Sequence, residues 1–200
     1  AATRRASGQR VKPGESVASQ ASARFGSWAA AVSPDGAALV TGSKDTTLRI
    51  WDLNTGSSKV IQTGHTKGIA EVAFAGPDLL VSASDDGTAR LWDARTFESR
   101  GALGAPDLLR TVAVSRDGRL VAAGGYDRQL HLWDVETRSE RVLSGHGAQV
   151  AGVAISPDGK SIATRDREGM VRLWDAATAA SAPRAPSNVR LAVTATGNSR

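Results

Sequence analysis

The chain has 200 residues, no cysteine, 40% hydrophobic and 22% charged residues, and a net charge of +5 with a pI near 10.2. This is a globular composition that excludes a disulfide scaffold and a thiolate metal site, and no apolar run is long enough for a membrane-spanning helix. The basic balance resides in the ends: residues 1–24 carry Arg4, Arg5, Arg10, Lys12 and Arg24 against Glu15, and residues 177–200 carry Arg184, Arg190 and Arg200 and no acid, which leaves a net of −2 for the body.

That distribution argues against a nucleic-acid surface and for solvated basic tails. The opening AATRR has no Met, so a chain cut from something longer is expected. In chain order, the first element is RVKPGESVASQ at 10–20, a turn and a strand. A unit over 23–63 follows. It has an alternating strand, the turn Ser33-Pro34-Asp35-Gly36, a second strand, a turn at Asp45, the strand TTLRIWD, and the segment LNTGSSKVIQT. Pro pre-sets φ at the second turn position, and Gly tolerates positive φ at the fourth.

The pattern then repeats over 64–103, 104–144 and 145–187, with SRDG at 115–118 and SPDG at 156–159 in the turn position. In the second copy AGPDLL at 75–80 is one residue short, and the connection before it is one longer. The pairs Trp51-Asp52, Trp92-Asp93, Trp133-Asp134 and Trp174-Asp175 are spaced 41 residues apart throughout, in a chain with five Trp. A fixed period of that size marks a repeat architecture. Val189, Leu191 and Val193 alternate before TATG, which predicts the first strand of a truncated further unit over 188–200.

The four Trp-Asp pairs, the Gly-His pairs at 64–65 and 145–146 and the SPDG turns make these units resemble WD40 repeats. The resemblance implies an all-β fold, a segment of a β-propeller with four four-stranded antiparallel blades and a partial blade at each end (1–22 and 188–200). An open arc is expected, with unpaired sheet edges that favour self-association.

In such repeats a Trp indole, a Ser or Thr hydroxyl, a His and a turn Asp form one hydrogen-bonded tetrad per blade. Carried over by position, the second copy supplies His65, Ser82, Asp86 and Trp92. The fourth supplies His146, Thr164 and Trp174, with Glu168 in the Asp position. The first supplies Thr41, Asp45 and Trp51 but has Ala23 in place of His. The third keeps Asp127 and Trp133, with Ala105 and Ala123 in place of His and hydroxyl. The Asp after each Trp is expected to close a strand-to-turn corner. His131 aligns with Arg49, Arg90 and Arg172 and is expected to be solvated.

Trp28 aligns with Ala70, Arg110 and Ala151 on the first strand of each unit, and is either a partner contact or a core residue. Lys44, Asp85, Tyr126 and Arg167 precede the turn acids and are candidates for a top-face partner surface with Arg110.

The tetrad accounts for Ser, His and Asp without a catalytic triad, and no Walker loop, HExxH, GxSxG or GxGxxG is present. Asp85-Asp86 lacks the further oxygen ligands of a calcium loop. The resemblance implies a non-catalytic protein-interaction scaffold. It is expected to use no metal, cofactor or small-molecule substrate, to contact neither nucleic acid nor membrane, and to lie in the cytoplasm. The alternative is a sensor or regulatory propeller of a larger signalling enzyme, a bacterial kinase or signalling ATPase.

Overall fold

The computed structural model describes residues 27–178 and 180, which form β-strands and turns with no helix. The side chains of Ser27 and Trp28, the basic ends and the partial blades expected at 10–20 and 188–200 lie outside the described residues. Four antiparallel sheets follow one another along the chain. Sheet 1 holds β1 (Ser27–Val32), β2 (Ala38–Ser43), β3 (Thr47–Asp52) and β4 (Ser58–Gln62). Sheet 2 holds β5 (Ile69–Ala75), β6 (Leu79–Ser84), β7 (Thr88–Asp93) and β8 (Ser99–Gly104). Sheet 3 holds β9 (Leu109–Val114), β10 (Leu120–Gly125), β11 (Gln129–Asp134) and β12 (Glu140–Ser144). Sheet 4 has three strands, β13 (Val150–Ile155), β14 (Ser161–Asp166) and β15 (Val171–Asp175); the fourth strand expected for it falls outside the described residues.

The turn chemistry is local and repeated. In the SPDG turn the Ser33 hydroxyl donates to Asp35 (2.6 Å) and accepts from the Ala38 N–H (2.8 Å), with Gly36 at φ +71°. Ser115–Asp117 and Ser156–Asp158 repeat the arrangement. The Asp after each Trp caps the next corner: one oxygen of Asp52, Asp93, Asp134 and Asp175 accepts the N–H groups two and three residues on, at 2.7–3.0 Å. Short polar side chains thereby satisfy backbone donors that the strands leave behind.

Alternation sends each strand's apolar residues to both faces, so each sheet must be covered on both sides. One core cluster joins Val40, Leu48 and Ile50 of sheet 1 to Ile69, Val72 and Trp92 of sheet 2. A second joins Val81, Ala83 and Leu91 of sheet 2 to Leu109, Val112 and Trp133 of sheet 3. A third joins Ala122, Leu130 and Leu132 of sheet 3 to Val150, Val153 and Trp174 of sheet 4. Each of these Trp residues therefore faces the preceding sheet. No such cluster joins sheet 4 to sheet 1, and their strands are not packed together. The described residues form an open arc of four blades.

Side chains also strap the inner strands of adjacent sheets together. The Glu71 carboxylate accepts the Val112 N–H (2.6 Å), and the Thr111 hydroxyl accepts the Val153 N–H (3.2 Å). Burial pushes the Glu71 carboxyl above its ordinary value, against the hydrogen bonds of Val112 and Thr111.

Candidate functional site

In sheet 2 the four tetrad residues come together. The Trp92 indole N–H donates to Ser82 Oγ (3.0 Å), which lies 2.9 Å from His65 Nε2, and His65 Nδ1 lies 2.9 Å from Asp86 Oδ2. Every donor meets an acceptor if the Ser82 hydroxyl donates to Nε2 and the ring carries its proton on Nδ1. Burial lowers the proton affinity of His65 despite the neighbouring carboxylate, which keeps the ring neutral. Burial would raise the Asp86 carboxyl, but hydrogen bonds from the Thr88 hydroxyl, the Thr66 N–H, His65 and the Thr88 N–H hold it down to about 2.

Both shifts have the same sign. A depressed carboxylate contributes stability that is complete above its unfolded value of 3.8 and is lost as pH falls towards 2. A histidine with lowered affinity loses stability as pH drops below its unfolded value of 6.5, because the unfolded chain takes up the proton first. Asp86 alone accounts for roughly 2 kcal/mol. Asp86→Asn should flatten the acid limb of a stability-against-pH curve; an unchanged limb would refute this role.

Sheet 4 has the same network with one correction. The Trp174 N–H donates to Thr164 Oγ1 (2.8 Å), Thr164 Oγ1 meets His146 Nε2 (2.6 Å), and His146 Nδ1 meets a carboxylate at 2.9 Å. That carboxylate belongs to Asp166, not Glu168. Asp166 ends β14, where Ser84 ends β6, and its second oxygen caps the turn through the N–H groups of Glu168 (3.1 Å) and Met170 (2.9 Å). The turn acid has moved two residues back along the chain, and Glu168 is exposed.

Sheet 1 keeps only part of the network. Trp51 donates to Thr41 Oγ1 (3.2 Å), while Asp45 serves its own turn through the Thr47 N–H (3.0 Å) and hydroxyl (2.7 Å).

Sheet 3 departs from the expectation most. His131 is not solvated: it is 1% exposed and stacks on Trp133, with ring centroids 5.4 Å apart. Its Nε2 lies 2.6 Å from Asp127 Oδ2, and its Nδ1 lies 2.6 Å from Glu140 Oε1. A histidine from the strand thus holds the turn acid that a loop histidine holds in sheets 2 and 4. In sheets 2 and 4 the Arg at the same strand position lies over glycine: Cβ atoms at Gly64 and Gly145 would meet the Arg90 and Arg172 guanidinium groups, whereas one at Gly104 would meet nothing within 4 Å.

The networks differ in what a Trp loss removes. Trp92→Phe removes a buried hydrogen bond and leaves the Ser82 oxygen with its His65 partner alone, a loss of about 1 kcal/mol. Trp133→Phe removes no such bond, because position 123 is Ala. The larger drop in denaturation midpoint should fall to Trp92→Phe; equal drops would count against the difference.

The partner candidates collect where the first strands begin. Trp28, Ala70, Arg110 and Ala151 are each skipped in the pairing of the first strand with the second, so each occupies a bulge. A bulge leaves one residue outside the ladder and redirects its side chain. Across from it, the N–H groups of Asp85, Tyr126 and Arg167 donate to the carbonyls of Gly68, Leu108 and Gln149 at 3.0–3.1 Å. Arg110 reaches back to Asp85 at 3.0 Å, a pair that joins sheets 2 and 3. Lys44, Tyr126 and Arg167 are exposed, Tyr126 at 45%.

The described residues contain no group of His, Asp or Glu side chains arranged to hold a metal ion. Two shallow hollows do not alter this. One, of about 250 Å³, lies between the turns at Ser115–Asp117 and Pro157–Gly159, whose acids cap their own loops. The other, of about 330 Å³, is lined by residues such as Ile50, Lys59 and Phe97.

The sequence model of the WD domain, G-beta repeat, matches residues 21–52, 56–93, 100–134 and 137–175. Repeats of this kind generally mediate protein–protein interaction, and domains built from them are typically non-catalytic. With more than half of the chain matched, and with sheets that repeat the same strand order, bulge and Trp-Asp corner, the chain belongs to the WD40-repeat family.

Proposed function

We propose that the chain is a non-catalytic scaffold for protein partners, and that it presents them the end of the arc carrying the bulges and the turns at Lys44, Asp85, Tyr126 and Arg167. The observation that carries this reading is a constant backbone bearing changing side chains. Four bulges occur at one register position but hold Trp28, Ala70, Arg110 and Ala151. The facing turns repeat one backbone hydrogen bond under Asp85, Tyr126 and Arg167. A rigid frame with variable residues, of which Lys44, Tyr126 and Arg167 are exposed, suits recognition, because little side-chain or loop ordering is lost on binding. Tyr126 and Arg110 are of the residue types enriched at binding hot spots.

The test begins with a partner captured by the intact protein. Tyr126→Ala combined with Arg110→Ala should weaken that binding while the thermal midpoint moves little, since a partly exposed pair such as Arg110–Asp85 is worth about 1 kcal/mol or less. Binding that survives both substitutions overturns the assignment of this end.

A further inference from the structure

Three interfaces in this arc are built around one small residue. Nine residues before each Trp, on the second strand, stand Gly42, Ala83 and Gly124. A Cβ on Gly42 would lie 2.5 Å from Ile69 Cγ2, and one on Gly124 would lie 2.5 Å from Val150 Cγ1. Ala83 shares a core cluster with Leu109. In each case the first strand of the next sheet comes so close that the position holds at most a methyl group. Ile69, Leu109 and Val150 are among the most buried residues of the protein, at 0–1% exposure.

At the same register position sheet 4 has Arg165. It pairs with Gly152 and Val171, as Gly42 pairs with Ala29 and Leu48 and as Gly124 pairs with Thr111 and Leu130. Opposite it, Gly152 stands where Glu71 and Thr111 strap their sheets to the next, and a Cβ at Gly152 would be 3.9 Å from Arg165 Nε. The two positions have exchanged their bulk. Around Arg165 the face is half-open: Leu173 and Ala163 are half-buried, whereas Leu91, Leu132, Val40, Val81 and Ala122 are buried at the matching positions.

We propose that Arg165 is a specificity determinant for what can join the fourth sheet, and that it refuses a blade packed in the manner of the other three junctions. A first strand placed like β5, β9 or β13 would drive an Ile, Leu or Val side chain into the guanidinium stem. It would also strip water from a cation that no acid among the described residues meets on this face.

The experiment is sedimentation velocity on this 200-residue chain over a concentration series, as wild type and as Arg165→Ala and Arg165→Lys. Alanine already occupies the position in sheet 2, so the variant should fold, and circular dichroism checks that it does. The chain has no cysteine, so a single thiol introduced by Leu173→Cys reports on this face through its rate of alkylation.

Arg165→Ala should associate at roughly tenfold lower concentration than wild type, with alkylation slowing as association proceeds, while Arg165→Lys behaves as wild type. Wild type and Arg165→Ala that associate alike overturn the proposal, whether both assemble or neither does. So does association of Arg165→Ala that leaves the thiol as accessible as before.

Discussion

Replacing His131 by alanine is expected to cost about 3 kcal/mol, because removing the buried ring takes away the hydrogen-bond partner that stands between two carboxylates. The ring lies between Asp127 and Glu140, at 2.6 Å from each. Asp127 is 12% exposed and Glu140 is 35% exposed, so the first carboxylate loses more than the second. The stacking on Trp133 goes as well. Arg90, in the same strand position of sheet 2, donates to the Gly64 carbonyl from a more exposed setting, and Arg90→Ala should cost about 1 kcal/mol. His131→Arg should recover most of the loss: an arginine places N–H donors beside both acids, and the open space at Gly104 admits its stem. Denaturant midpoints at constant m-value read all three variants. An alanine variant at 131 no weaker than the one at 90 would show that the cluster contributes nothing of its own.

Much of this architecture is legible before any coordinates are seen, for a physical reason. Trp, the capping Asp, and the Ser and Gly of each turn work through contacts a few residues away, so their spacing carries their geometry. Trp92 and Ser82 are ten residues apart on neighbouring strands, and any hairpin with that turn brings them together.

The misreadings arise where one copy changes two positions at once. His131 aligns with Arg49, Arg90 and Arg172, and position by position it reads as another long side chain with a solvated tip. Yet the same unit lacks the loop histidine, having Ala105, and pairs Trp133 with Glu140 where Trp51 and Trp92 pair with Ser58 and Ser99. Taken together, those differences describe a histidine moved from loop to strand with a second acid to meet it. Asp166 is similar: alignment on Trp174 selects Glu168, and Asp166 itself stands where sheet 2 has Ser84, a position that carries no acid in the complete network of that sheet. The straps at Glu71 and Thr111 had no local signal, because each acts on a backbone about forty residues away in another sheet.

The close approach between sheets gives the second large expected effect. Gly124→Ala should destabilise the protein by about 2 kcal/mol, the usual order for overfilling a packed core. The added methyl would stand 2.5–2.6 Å from Val150 Cγ1 and Cβ, and Val150 is fully buried, so one sheet must move or the valine must leave its rotamer. The first junction sets the same rule, with Gly42 against Ile69. The second junction shows the exception, since Ala83 is accommodated and Leu109 is the residue across from it. Ile and Val are branched at Cβ, where the new methyl would strike, whereas Leu is branched one carbon further out. Val150→Leu in the Gly124→Ala background should therefore restore part of the lost stability, although Val150→Leu alone is expected to be neutral or slightly destabilising. Hydrogen exchange should place the damage of the single variant at β10 and β13, on either side of the third junction. A double variant no more stable than the sum of the two singles would mean that Cβ branching does not govern how closely these sheets approach.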